Sequence, residues 1–428
     1  MNNYENKNMQ YPSFLLIKQI KNTENISSTL KSVINDEVNK LKFKEKIKPN
    51  ERIGITVGSR NINNINFILF QIGQIIKEIG GKPYIIPSMG SHGGNTIDGQ
   101  MKILKDLQIN ENAIKIPIIE EVRTKCIGFT HENIPVHCNK SIEYIDKIIV
   151  LNRVKQHTDF SGSIESGLCK MLSIGLGGCK GAQSVHANAL SLGYEKTIKS
   201  VSEYVVKKLP IICAFGILEN WKNEISEFKG MYPNEIYHEE SKLLVKAKNE
   251  YLKLPFNEID LLIVNEIGKN ISGTGMDTKV IGRLIILNEN KLRSPTIKRI
   301  VVNDLTKESH GNATGVGHAD FITKKLFSKI NFEQTNLNSI SSMTPEQCKI
   351  PCILNTEKEA NEAAIKTIDI FNSTKAKIAY ILNTSKLEYI IVSDNIQFSN
   401  EVDVIKNMFL KYDNNGKTNF HNELNNAY

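Results

Sequence analysis

Nowhere in the 428 residues does an uninterrupted apolar stretch approach the ~18 residues that a membrane span requires. The opening, Met1-Asn2-Asn3-Tyr4-Glu5 and onward, lacks the basic-then-apolar order of a secretory signal. These absences set the expectation of a soluble, cytoplasmic protein with no membrane partner. Cysteine is sparse, with seven residues and no Cys-x-x-Cys pair, so neither a disulfide scaffold nor a zinc ribbon is expected. Cys348 and Cys352 are separated by Lys349-Ile350-Pro351, which is wide for half of a zinc knuckle, and no second half follows. The net charge is +8, yet the excess is lysine dispersed through Lys/Asn/Ile-rich stretches. Without a basic run or interleaved aromatics it reads as a solvated surface, and no nucleic-acid partner is expected.

What is present is a globular composition, 40% hydrophobic and 23% charged, on a chain too long for one core. Up to about Asn50 the chain is polar and Lys/Asn-rich, with one amphipathic, helix-like stretch from Ile26 to Leu41. Arg52-Ile-Gly-Ile-Thr-Val reads as a buried strand. A helical pattern follows from Asn64 to Ile79 and is stopped by Gly80-Gly81; Lys82-Pro-Tyr-Ile-Ile-Pro is a second strand. A small-residue loop from Ser88 to Thr96 and a helix-like stretch from Ile97 to Leu107 complete a parallel α/β pattern. Further strands are predicted at 147–151, 211–217, 260–264, 300–302 and 389–392. Composition shifts near Leu254-Pro255. The expected architecture is two α/β domains with mostly parallel sheets: an N-terminal domain over 1–255, a hinge over 256–285 and a C-terminal domain over 286–428. The active site is expected in the cleft between them, and the Asn-rich tail after Tyr412 is expected to be mobile.

Ligands of open α/β sheets bind beyond the carboxyl ends of the strands, and four polar loops fall at such places. Gly58-Ser59-Arg60 offers a guanidinium fork for a carboxylate or phosphate. Ser88 to Thr96 carries His92 among glycines. The third loop is the longest: Asn152 to His186 holds His157, Lys170, Lys180 and His186 amid glycines. It fits neither a P-loop nor a dinucleotide fingerprint, and it lacks zincin histidine spacing. The fourth, Gly268 to Arg283, brings Lys269, Asp277, Lys279 and Arg283 to the presumed hinge; Arg283 reads equally well as a structural ion pair. Residue types alone leave three readings open. One is an enzyme using these loops, one a divalent-metal isomerase or hydrolase using His157 and His186, and one a non-catalytic α/β protein binding a carboxylated or phosphorylated small molecule.

Taken in order, these residues resemble the nickel-dependent lactate racemases and their wider group of 2-hydroxyacid racemases and epimerases. Arg60 after a first strand is similar to that family's Thr-Arg-Pro-type arginine, and Ser91-His92-Gly93 to its Gly-x-His-Arg loop. His157, Phe160-Ser161-Gly162 and Ser166-Gly167-Leu-Cys-Lys170 resemble its His, Phe-Ser-Gly and Ser-Gly-Gly-x-Lys block. His186, sixteen residues beyond Lys170, falls where the family's metal-binding histidine falls. Ser309-His310-Gly311-Asn312 is similar to a His-Gly-Gly segment of the second domain. This chain departs from the pattern at Asn61, at Gly93 and in a longer segment between His157 and Lys170.

The resemblance implies an isomerase that racemises or epimerises a small, lactate-like 2-hydroxyacid by hydride transfer. Its cofactor would be a nickel pincer nucleotide, a pyridinium mononucleotide whose thio-acid arms clamp the metal, supplied by partner proteins that build it. Carried over, Lys170 is the covalent tether, Ser59 a cofactor contact and His186 the nickel ligand. His92 and His157 are the alternating base and acid, and Arg60, Lys279 and Asp277 hold the substrate.

Overall fold

The computed structural model describes residues 9–286, 292, 294–369 and 372–428. Its contacts divide the chain into two compact units. One is Asn22–Tyr251; the other joins the residues up to Lys21 to Leu252–Tyr428.

In the first unit five strands form one sheet in the order Lys82–Pro87, Arg52–Val57, Lys147–Arg153, Ile211–Glu219, Ile225–Met231. All neighbours are parallel except the last pair. Alternate side chains of a strand leave opposite faces, and both faces are covered here. Ile148 and Val150 join one apolar cluster while Ile149 and Leu151 join the other. That double burial is why the strands read as continuous apolar runs. The helix Ile65–Glu78 supplies Ile68, Leu69, Ile72 and Ile76, all fully buried, each contributing about 1.5–3 kcal/mol. Gly80 ends it at φ +95°, with the Gly80 N–H on Lys77 O and the Gly81 N–H on Ile76 O. This is a Schellman closure, which needs a left-handed residue.

The second unit holds an eight-stranded mixed sheet in the order Cys352–Leu354, Phe321–Thr323, Thr296–Leu305, Glu258–Ile267, Ile378–Ile381, Tyr389–Ser393, Phe14–Gln19, Val402–Met408. The first five are mutually parallel and the last three are added antiparallel. Here too both faces are buried, Leu262 and Val264 on one side and Leu261 and Ile263 on the other. The α/β expectation with mostly parallel sheets holds.

Three expectations are corrected. Phe14–Gln19, passed over as polar N-terminal sequence, is a strand of the second unit, with Phe14 and Ile17 fully buried. The segment 256–285, expected as a hinge, contains Glu258–Ile267, a central strand of the larger sheet. The tail after Tyr412 ends in the helix Phe420–Ala427, whose Phe420 ring packs 4.8 Å from Phe14 and 5.6 Å from Tyr380. The strand Glu258–Ile267 is itself legible at 260–264, within the expected hinge; in the other two cases an isolated aromatic or apolar residue finds its partners far away in sequence, which local composition does not register. All seven cysteines are free, and no helix among the described residues is long and apolar enough to cross a membrane.

Candidate active site

Three loops leave the carboxyl ends of three adjacent parallel strands of the first unit. Residues 58–60 follow Arg52–Val57, residues 88–96 follow Lys82–Pro87, and residues 154–167 follow Lys147–Arg153. Parallel register puts all three on one edge of the sheet, where such folds bind ligands.

The first two loops meet at His92. Its Nδ1 lies 3.0 Å from Met89 O and 2.8 Å from Ser59 Oγ. A carbonyl oxygen can only accept, so Nδ1 carries a proton, and in the neutral ring the lone pair is on Nε2. Gly93 makes the turn possible: its φ is +73°, and a Cβ there would stand 2.7 Å from the Gly99 backbone.

The third loop is pinned at its base, where Lys155 and Ser166 exchange N–H to O bonds of 2.7 and 3.1 Å. Inside it, the Glu165 side chain is 0% exposed and pairs with Lys248 at 2.5 Å. Its Oε2 accepts the His157 N–H at 2.6 Å and its Oε1 the Gly162 N–H at 3.2 Å. This buried carboxylate sets the backbone from which His157 projects. Glu165→Ala should destabilise the protein by about 2–3 kcal/mol in urea unfolding, below the full cost of splitting a buried pair because Lys248 can rehydrate. An unchanged midpoint would mean that the loop is held by other contacts.

The His157 Nδ1 accepts the Asp159 N–H at 3.0 Å, so the neutral ring carries its proton on Nε2. That nitrogen is 2.5 Å from Lys170 Nζ. A proton-bearing Nε2 can donate only to a lysine with a lone pair, so the arrangement selects the uncharged amine. Electrostatics agree: burial lowers the Lys170 pKa to about 8, Asp159 opposes the shift and Arg60 adds to it. As neutral rings the two histidines are thus opposite tautomers, His92 with its proton on Nδ1 and His157 with its proton on Nε2.

Lys170 ends a short helical turn, Leu168–Lys170, that continues through a π-helical turn, Met171–Gly175, towards the helix Gly178–Leu192 bearing His186. π-turns often occur at functional sites. Beneath it, Glu240 Oε2 accepts the Cys169 N–H at 2.6 Å, and a Cβ at Gly167 would stand 2.3 Å from Glu240 Oε1, so the close approach requires glycine. Burial pushes the Glu240 carboxyl up to about 7. The His186 Nδ1 is 3.1 Å from the Tyr194 hydroxyl. Tyr194 stacks on Phe160 at 4.9 Å, and Phe160 lies 4.6 Å from the His157 ring, so an aromatic column joins the two histidines. Burial first, and Lys170 second, lower the His186 pKa to about 4, leaving a neutral imidazole able to bind a metal.

Arg60 keeps an open face to solvent, yet desolvation by the protein around it and then Arg153 lower its pKa, with no acid acting against them. Arg153 itself is raised: burial works against its charge, but Tyr251 and Glu219 outweigh it, the latter as an ion pair. Arg60 is therefore the guanidinium of this edge on which an anion can act as counter-charge.

The structure accordingly brings Ser59 to His92 and His157 to Lys170, and links His186 to them through Phe160 and Tyr194. Asp277 and Lys279 lie in the second unit, where the Asp277 carboxylate caps the turn Thr278–Ile281 by accepting the Lys279 N–H at 2.9 Å. Arg283 there is bonded to Asp320 at 2.8 Å, the structural ion pair. Sequence reasoning missed Arg153, Glu165, Tyr194 and Glu240 as supports. Of these Arg153 and Glu165, both inside the stretch Asn152 to His186, carried a local signal.

Residues 4–197 match the family model of the lactate racemase N-terminal domain. No curated protein matches the chain in sequence. Among solved structures, the lactate racemase apoprotein from Thermoanaerobacterium thermosaccharolyticum is similar in fold. Its TM-score is 0.50 at 12% identity, over 90% of this chain and 96% of that one.

Proposed function

We propose that this chain, which carries a lactate racemase N-terminal domain over residues 4–197, racemises or epimerises a small 2-hydroxyacid with a lysine-tethered nickel pincer nucleotide. The observation that carries the reading is Lys170, held beside His157 Nε2 with its pKa lowered to about 8, on the segment that leads through a π-turn to the helix of His186, whose pKa is lowered to about 4. A tether must be a nucleophile, and a metal ligand must offer a lone pair. Among the described residues no group of three or more His, Cys, Asp or Glu side chains is placed to hold a metal ion. His186 fits as one ligand of a metal whose other ligands come with the cofactor.

When bound, the cofactor supplies the ring that takes and returns the C2 hydride. The chain's own residues do the rest. Arg60 holds the substrate carboxylate by charge-assisted hydrogen bonds. In one direction His92 Nε2 takes the hydroxyl proton and a protonated His157 returns one to the carbonyl oxygen; in the other direction the two roles exchange. Attachment at Lys170 converts its amine to an amide-type nitrogen, which no longer accepts, so the His157 Nε2–H is released for the substrate.

The test is metal analysis of protein produced together with the cofactor-building proteins. The parent should retain nickel on desalting and His186→Ala should not, with the fold of both intact by circular dichroism. Because the His186 pKa is depressed to about 4, its ligand form persists as pH falls, and retention should fail only on approach to about pH 4. Nickel retained by His186→Ala, or lost from the parent near pH 6.5, would reassign the histidine to a structural role.

A further inference from the structure

We infer that, before any cofactor is attached, Lys170 and His157 form a carbonyl-trapping dyad that condenses reversibly with small 2-oxo acids. The inference rests on the proposed function only for the choice of acid, since a 2-oxo acid is what a 2-hydroxyacid becomes when it gives up its C2 hydride. The dyad itself rests on geometry. The Lys170 Nζ stands 2.5 Å from His157 Nε2, and His157 Nδ1 is committed to the Asp159 N–H. The hydrogen bond favours the uncharged amine; once it opens to an incoming carbonyl, the Nζ lone pair is released and the Nε2–H can turn to the carbonyl oxygen as a hydrogen-bond donor. An amine made nucleophilic by desolvation and by a neighbouring cation is the arrangement of imine-forming lysines, and Arg60 is that cation here. Arg60 also gives the carboxylate of an incoming acid a counter-charge, which a simple ketone does not need.

The chemistry balances without an added reagent. The Nζ lone pair forms a C–N bond to the carbonyl carbon while His157 Nε2–H hydrogen-bonds the carbonyl oxygen, and one of the two protons on the new ammonium moves to that oxygen, giving a neutral carbinolamine. The remaining N–H proton goes with the hydroxyl as it leaves as water, so the neutral imine remains and His157 ends unchanged. Hydrolysis reverses each step. The product occupies the same nitrogen that a covalent cofactor would use, so 2-oxo acid and cofactor attachment exclude one another.

The test uses the full chain produced without nickel or cofactor-building proteins. It is incubated with pyruvate, or with acetone as a carbonyl lacking the carboxylate, and reduced with cyanoborohydride. At pH 7.5 a lysine of pKa about 8 is about one-quarter free base, whereas an ordinary one near 10.4 is about one-thousandth. Peptide mapping should therefore find pyruvate, less one oxygen atom, on Lys170 about tenfold or more above the other lysines. Lys170→Arg should lose that adduct. Arg60→Gln should lower trapping of pyruvate several-fold more than that of acetone, because pyruvate also loses its counter-charge, and His157→Ala should slow both. Labelling spread evenly over surface lysines, or unchanged by Lys170→Arg, overturns the inference. Failure to trap in a protein that still loads nickel rejects the dyad alone. A Lys170 adduct in a protein that never acquires nickel supports the dyad while rejecting the cofactor.

Discussion

Lys170→Ala protein, produced alongside the proteins that build the pincer nucleotide, should emerge with its unmodified mass, whereas Lys180→Ala should carry the adduct like the parent. The two lysines lie ten residues apart, each near glycines, and sequence alone makes either a plausible tether. The structure separates them. Lys170 faces His157 Nε2 at 2.5 Å, in a hydrogen bond that fits only the uncharged amine. Lys180 lines an open cavity with Asn95, Arg123, Cys179 and Gln183. An acyl-transfer partner needs the lone pair, so attachment should follow the titration of the amine. In protein without cofactor, labelling of Lys170 by an amine-directed reagent should rise around pH 8, about two units below an ordinary lysine. Peptide mapping that placed the cofactor on Lys180, or labelling of Lys170 that rose only near pH 10, would break the assignment. The expected loss of activity in Lys170→Ala is complete, because nothing else would keep the cofactor in the site.

Why Lys170 was legible at all is instructive. Its surroundings are local: strand Lys147–Arg153, loop, helical turn and helix follow one another in sequence, and the sixteen-residue step to His186 is spanned by the short helical turn, the π-turn and the helix Gly178–Leu192. His92 was legible for a similar reason, as a histidine on a glycine loop after a strand. The supports were not legible. Tyr194 meets Phe160 across 34 positions, and Glu240 meets Cys169 across 71. Nothing in the composition of either segment announces the partner. The same physics explains the misread Phe14–Gln19 strand. Its six residues include two polar ones, and it becomes a strand because Tyr389–Ser393 and Val402–Met408 offer ladder partners on both sides. Periodicity reports which face of an element is buried, whereas pairing across hundreds of residues is decided by tertiary contacts. Tautomers are less legible still, since they depend on single backbone groups such as Met89 O and the Asp159 N–H.

Those tautomers lead to the second large effect. His92→Ala and His157→Ala should each lower racemisation by ~10²–10⁴-fold in both directions, the usual cost of removing a positioned acid or base. Each direction consumes one histidine as base and the other as acid, so loss of either stops the cycle whichever enantiomer is supplied. The loss should fall on kcat rather than on KM, because proton transfer is made only in the transition state. Arg60→Ala should behave oppositely, raising KM strongly through loss of the carboxylate contact. Ser59→Ala should be mild: the Met89 carbonyl alone fixes the His92 tautomer, and the hydroxyl adds only a neutral hydrogen bond, worth about 1 kcal/mol or roughly fivefold. The deciding assay starts from each enantiomer of several 2-hydroxyacids deuterated at C2. Deuterium retained through inversion requires the hydride to leave and return without meeting water, which fits two histidines that handle only the hydroxyl proton. Deuterium washed into solvent would mean that one of them removes the C2 proton directly. His92, with its bare Nε2, would then be the base of carbanion chemistry, and Lys170 would need another purpose.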